Sequence, residues 1–87
     1  MNIAQEAEKE MKRMEEIFSS LQVSKGEKVR ELYEFARNYF EDGKHFFEGG
    51  KFIQAFEAFV IAWSYIDAGI KLKFFDVPRK LKRYFTS

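Results

Sequence analysis

The 87-residue sequence contains no cysteine, one histidine and one proline. The missing cysteine excludes disulfides, thiolate metal sites and cysteine nucleophiles. The longest uncharged stretch in the apolar part of the chain, Ala58 to Ile66, is closed by Glu57 and Asp67. A membrane span needs about 20 apolar residues, so this stretch is far too short. Glu6, Glu8 and Glu10 occupy the place where a signal peptide would carry its apolar core. A glycine-rich phosphate loop is also lacking, since Gly49-Gly50 is followed by no Lys-Ser/Thr pair. These absences predict a cytoplasmic protein that does not engage a membrane.

What is present is apolar mass. Hydrophobic residues make up 46% of the chain and aromatics 18%, with eleven Phe. A chain of this length buries only about 60–65% of its unfolded surface, so a core must be dense, and this composition supplies it. The aromatic content argues against disorder although 33% of residues are charged. One helical domain over residues 1–87 is expected, with a core over 1–75 and a basic extension over 76–87.

The net charge of +1 conceals an asymmetry. Lys71, Lys73, Arg79, Lys80, Lys82 and Arg83 face Asp76 alone in residues 71–87, whereas residues 1–70 hold nine basic and thirteen acidic side chains.

Helical periodicity runs through the chain. Ala4, Ala7, Met11, Met14, Phe18 and Leu21 recur at spacings of three and four, with Ile3 and Ile17 widening the stripe, and predict a helix over about Asn2–Leu21. Its charged positions, including Glu6, Glu8, Glu10, Glu15 and Glu16, are expected to face water. Ser24 with Glu27 three residues on reads as a capping box for a second helix, about Lys25–Gly49. The stripe of that helix is Val29, Leu32, Tyr33, Ala36, Tyr39, Phe40, Gly43, Phe46 and Phe47. Gly49-Gly50 suits a helix end and tight turn.

The third helix, about Lys51–Phe75, is apolar nearly all round. Only Gln54, Glu57, Ser64, Asp67 and Lys71 form a polar strip, which Ile61 interrupts. Such a helix belongs at the centre of a bundle, and Ile61 is expected to be partly exposed or covered by another chain or by the tail. Asp76, a capping residue, and Pro78 predict a short helix through Phe85. The fold class is therefore all-α: a small three-helix bundle, made of a long antiparallel hairpin plus an N-terminal helix, with a short basic C-terminal helix. Folding about Gly49-Gly50 sets Gly43 opposite Ala55 and Phe56.

The pattern Gly43, Phe46, Gly50, Phe52, Ala55, Phe59, Ala62 resembles one tetratricopeptide repeat. It occurs once, and repeat arrays need roughly three copies, so a repeat-like hairpin inside a bundle is implied. The run Tyr39 to Phe52, continuing through Ala55 and Ala58 to Trp63-Ser64-Tyr65-Ile66-Asp67-Ala68-Gly69-Ile70, resembles the archaeal family called domain of unknown function 357. The resemblance spans roughly residues 28–75, with Asp67-Ala68-Gly69 its more specific part. It implies a helical bundle and an archaeal source, and no activity. That family often has a Gly soon after the triplet, where Lys73 and Phe74 stand here.

No catalytic, cofactor-binding or metal-binding set is expected. His45 lacks partners beyond Glu41 and Glu48, neighbours that almost any charged helix face would offer, and is expected at the surface. Inward Glu-x-x-His pairs of a carboxylate metal site do not occur. Asp67 and Lys71 are four apart, which fits an exposed helix ion pair; the alternative is a buried acid that holds the tail or a partner's backbone. The segment Arg79-Lys80-Leu81-Lys82-Arg83-Tyr84-Phe85 interleaves basic and aromatic residues. Either Val77, Leu81, Tyr84 and Phe85 dock on the bundle, or the tail is an arm whose cations meet phosphate and whose rings stack on bases. The expected function is a non-enzymatic protein-interaction or scaffolding module, and the alternative is an RNA- or ribosome-associated protein. A protein partner, RNA and a second copy of the chain are the partners considered. The candidate contact residues are Ile61, Asp67, Lys71, Lys73, Arg79, Lys80, Lys82, Arg83 and Tyr84.

Overall fold

The computed structural model describes residues 2–85. Helix α1 spans Ile3–Ser20, α2 Glu27–Glu48 and α3 Phe52–Lys71, and a 3-10 helix covers Arg79–Tyr84. The expected all-α three-helix bundle is present. It carries one addition that periodicity does not reveal: strands β1, Gln22–Val23, and β2, Phe75–Asp76, pair antiparallel with Gln22 opposite Asp76 and Val23 opposite Phe75.

Helix α1 starts at an Asn2 cap, whose Oδ1 accepts from the Ala4 and Gln5 N–H groups at 3.0 and 3.3 Å. Ala7, Met14 and Ile17 are fully buried, while Ile3 lies at the exposed edge. Not all of the helix's acids face water. Glu10 is buried and ion-paired to Arg13, and Glu16 accepts from the Tyr84 hydroxyl at 2.9 Å. The tail lies across this side of α1, which a one-helix projection cannot show.

The Ser24–Glu27 capping box does not form. The strand pairing continues through Ser24, whose N–H donates to the Phe74 carbonyl at 2.9 Å. Gly26, at φ 138°, then turns the chain into α2 without a side-chain cap.

Helices α2 and α3 end in the same way. Gly50, at φ 77°, donates to the Phe47 carbonyl at 3.0 Å, and Lys51 to that of Phe46 at 2.8 Å. Lys73, at φ 66°, donates to Ile70 at 3.1 Å, and Phe74 to Gly69 at 2.8 Å. Both are Schellman ends, in which a left-handed residue turns the last carbonyls inward. The second one stops α3 at Lys71, short of the expected Phe75, and frees Phe75 for β2.

Helix α3 is central, packing on both α1 and α2 far more extensively than those two pack on each other. Ala55, Phe59, Ala62 and Ile66 are fully buried. Gly43 does not primarily accommodate Ala55: a Cβ there would penetrate the ring of Phe59. The missing side chain makes room for an aromatic ring rather than for a small residue.

The tail belongs to the core. Val77 and Leu81, placed by the sequence outside residues 1–75, are 4% and 0% exposed. The Trp63 indole N–H donates to the Tyr84 carbonyl at 2.9 Å, and the Trp63 and Phe85 rings stack at 5.8 Å, 3° from parallel. The terminal helix is 3-10 and follows Pro78 with no side-chain cap. Asp76 instead accepts from the Val77 N–H at 2.9 Å and faces the Lys82 Nζ at 3.7 Å.

The molecule measures 37 × 25 × 19 Å. At interaxial distances of about 8–10 Å, its thinnest dimension holds two helix layers. One side of the α2–α3 layer is covered by α1. Among the described residues no element covers the other.

Candidate functional site

The uncovered side of the hairpin is built by simple periodicity. Phe35, Tyr39, Asp42 and Phe46 recur at spacings of three and four on α2, and Gln54, Glu57, Ala58, Ile61 and Tyr65 do so on α3. The antiparallel turn brings the two rows side by side. Tyr65 stacks on both Phe35 and Tyr39, with centroids 5.7 and 5.8 Å apart and planes 24° and 25° from parallel. Below this stack a groove of about 220 Å³ is lined by Tyr39, Asp42, Phe46, Gln54, Glu57, Ala58 and Ile61. Phe35 is 45% exposed, Ile61 39% and Phe46 36%.

Two of these residues depart from expectation. Tyr39 and Phe46 were on the predicted core stripe of α2 but line the groove. Phe35 lay outside that stripe altogether. The signal for it was available as the spacing to Tyr39, Asp42 and Phe46. It is hidden because α2 has apolar residues on two adjoining faces, and periodicity does not say which face acquires a neighbour. Ile61 lies at the groove wall, outside the core, as its place on the polar strip predicted.

The remaining candidates do not gather at one place. Asp67 and Lys71 form the expected i, i+4 pair, with Nζ 2.8 Å from Oδ2. The carboxylate is more covered than the surface reading supposes, its side chain being 17% exposed. Lys73 and Lys82 line an open cavity of about 550 Å³ at the end of the bundle, with Gln22, Ser24 and Asp76. Arg79 and Lys80 are exposed on the 3-10 helix. Tyr84 is used internally: its hydroxyl donates to Glu16, and the Arg83 and Arg13 guanidinium groups lie 4.5 and 5.5 Å from its ring centroid. Arg83 also donates to the Lys80 carbonyl. His45 is exposed, as expected.

Among the described residues no group of three or more His, Cys, Asp or Glu side chains could hold a metal ion. No described helix is long and apolar enough to cross a membrane. Electrostatically, the groove and the bundle end differ. The groove's charged lining is Asp42 and Glu57, and the end's is Lys73, Lys82 and Asp76.

A family model described as "Protein of unknown function (DUF357)" matches residues 2–75. The chain belongs to that family. No curated protein and no solved structure matches it. The DUF357 match takes in α1 as well as the hairpin, so it extends beyond the stretch from residue 28 that carried the resemblance. It ends at the first residue of β2, before the 3-10 helix. The triplet that marked the DUF357 resemblance has a packing role here. Gly69 lies under Phe75, whose ring a Cβ would penetrate, and Asp67 binds Lys71 one turn on. The left-handed residue after it, Lys73, stands where a Gly would be conformationally favoured.

Proposed function

We propose that this chain is a non-enzymatic protein-interaction module whose contact surface is the uncovered side of the α2–α3 hairpin. The observation that carries this reading is the aromatic row: Tyr65 stacks on both Phe35 and Tyr39, with Ile61 and Phe46 beside them, on a side that no described element covers. Contiguous exposed apolar surface rimmed by polar residues marks interaction sites, and aromatic residues are enriched at such contacts. A cytoplasmic setting fits the reading.

The test is capture from the native host with wild type and with a Phe35→Ser/Ile61→Ser variant of matched melting temperature. A partner retained by wild type and lost by the variant supports the module. Identical captured sets would overturn it.

RNA binding is the second reading, favoured by Lys73 and Lys82 facing one cavity near the exposed Arg79 and Lys80. It predicts salt-sensitive RNA binding that is lost in a Lys73→Ala/Lys80→Ala/Lys82→Ala variant.

A further inference from the structure

The open groove has the shape and charge of a seat for one kind of segment. From Phe35 to Phe46 the apolar row on α2 runs about 16 Å at 1.5 Å per residue. The hairpin already takes a helix on its other side. There α1 presents Ala7, Met14 and Ile17, at helical spacing, to the same two helices. Both sides of the hairpin are thus grooves between antiparallel helices, and one is filled from within the chain.

The rim decides what fits the other. The charged side chains lining the groove are Asp42 and Glu57. Both are exposed, and neither is ion-paired among the described residues. The basic side chains of α2 nearest the aromatic core, Arg37 and Lys44, lie on the covered side, where they stack over Phe18 and Phe40. A nucleic-acid backbone would bring phosphates to two carboxylates. A second copy packing groove to groove about a two-fold axis would bring Asp42 and Glu57 against their own counterparts. The α1 helix of another copy is net acidic, with Glu6, Glu8, Glu10, Glu15 and Glu16 against Lys9, Lys12 and Arg13. The chain's own basic segment cannot supply the apolar contact, since Leu81 is buried and Tyr84 and Phe85 are engaged with Glu16 and Trp63.

We propose that the groove receives an amphipathic helix of a different protein, about three turns long, with an apolar stripe flanked by Lys or Arg. The stripe lies along Phe35, Tyr39, Ile61 and Phe46, and the flanking cations meet Asp42 and Glu57. This rests on the hairpin side being the contact surface.

Three synthetic helical peptides test it against the full chain by fluorescence anisotropy at low salt. One has a Leu stripe with Lys flanks, one the same stripe with Glu flanks, and one the Lys flanks with a Ser stripe. The Lys-flanked Leu peptide is expected to bind about tenfold tighter than the Glu-flanked one, as two rim pairs change from repulsion to attraction. The Ser-stripe peptide is expected not to bind. Asp42→Lys/Glu57→Lys, both exposed positions, should reverse the preference, and Phe35→Ser/Ile61→Ser should abolish binding at unchanged melting temperature. Equal binding of both Leu peptides, lost in Phe35→Ser/Ile61→Ser, would overturn the basic partner and leave the contact surface standing. Binding untouched by Phe35→Ser/Ile61→Ser would overturn both. A dimer in solution that Ile61→Ser dissociates would assign the groove to a second copy and overturn the proposal.

Discussion

The two sides of the α2–α3 hairpin use similar residues and meet different fates. On the covered side, Phe18 packs against Phe40 at 5.0 Å and Tyr33 at 6.0 Å, Arg37 lies over Phe18 and Phe40, and the tail joins through Trp63. On the open side, Phe35, Tyr39 and Tyr65 stack just as closely, yet Phe35 remains 45% exposed. Ring stacking does not by itself distinguish a core from a surface. A further layer does, because burial rather than contact removes apolar area from water. The hairpin carries apolar residues on both sides, and the described residues cover one of them.

Substitutions can break that comparison. The largest effect is expected at Leu81, the fully buried residue of the tail's 3-10 helix. Leu81→Ala should lower stability in urea melts by about 2–5 kcal/mol; a loss below about 0.5 would mean the tail is not part of the covered side. Next, Ala55→Leu, at a fully buried site, should overpack the helix interface at a cost of about 1–3 kcal/mol. Gln54→Leu, one residue away on the groove wall, should be nearly neutral. Equal effects would show that the faces of α3 are misassigned. Trp63→Phe retains a ring and loses the N–H that meets the Tyr84 carbonyl, so a loss of about 0.5–1.5 kcal/mol is expected. Smallest of all, Phe35→Ser and Ile61→Ser should each change stability by no more than about 0.5 kcal/mol. A larger loss from either would place the open side among the structural contacts.

Much of this architecture was legible because it is local. Spacings of three and four gave α1, α2 and α3, and Gly49-Gly50 gave the turn between the last two. Ile61, standing in the polar strip of α3, pointed to the groove. What was not legible is nonlocal. The β1–β2 pair joins residues with no strand period of their own, and its formation takes Ser24 away from capping α2. Lys73 ends α3 in a left-handed conformation that a non-glycine residue adopts at a cost of about 1–2 kcal/mol, so no local signal marks the stop. The 3-10 helix could be read either as a docked segment or as a free basic arm, because the bonds that dock it, from Trp63 to the Tyr84 carbonyl and from the Tyr84 hydroxyl to Glu16, span 21 and 68 residues. Phe35 was hidden by the breadth of the apolar surface of α2.

The small sheet has a consequence for the order in which the molecule assembles. The α2–α3 hairpin closes through a short turn, so its contacts carry little loop-closure entropy. The pairing of Gln22 with Asp76, and the seating of Leu81 and Tyr84 that follows it, joins parts of the chain about fifty residues apart. Such contacts are expected after the rate-limiting step. Interactions absent from the transition state act on the unfolding rate and leave the folding rate nearly unchanged. The strap formed by β2 and the 3-10 helix is therefore a latch on lifetime. In stopped-flow chevrons Leu81→Ala should raise the unfolding limb and leave the folding limb in place. The chain would then fold as quickly without its latch and stay folded for less time.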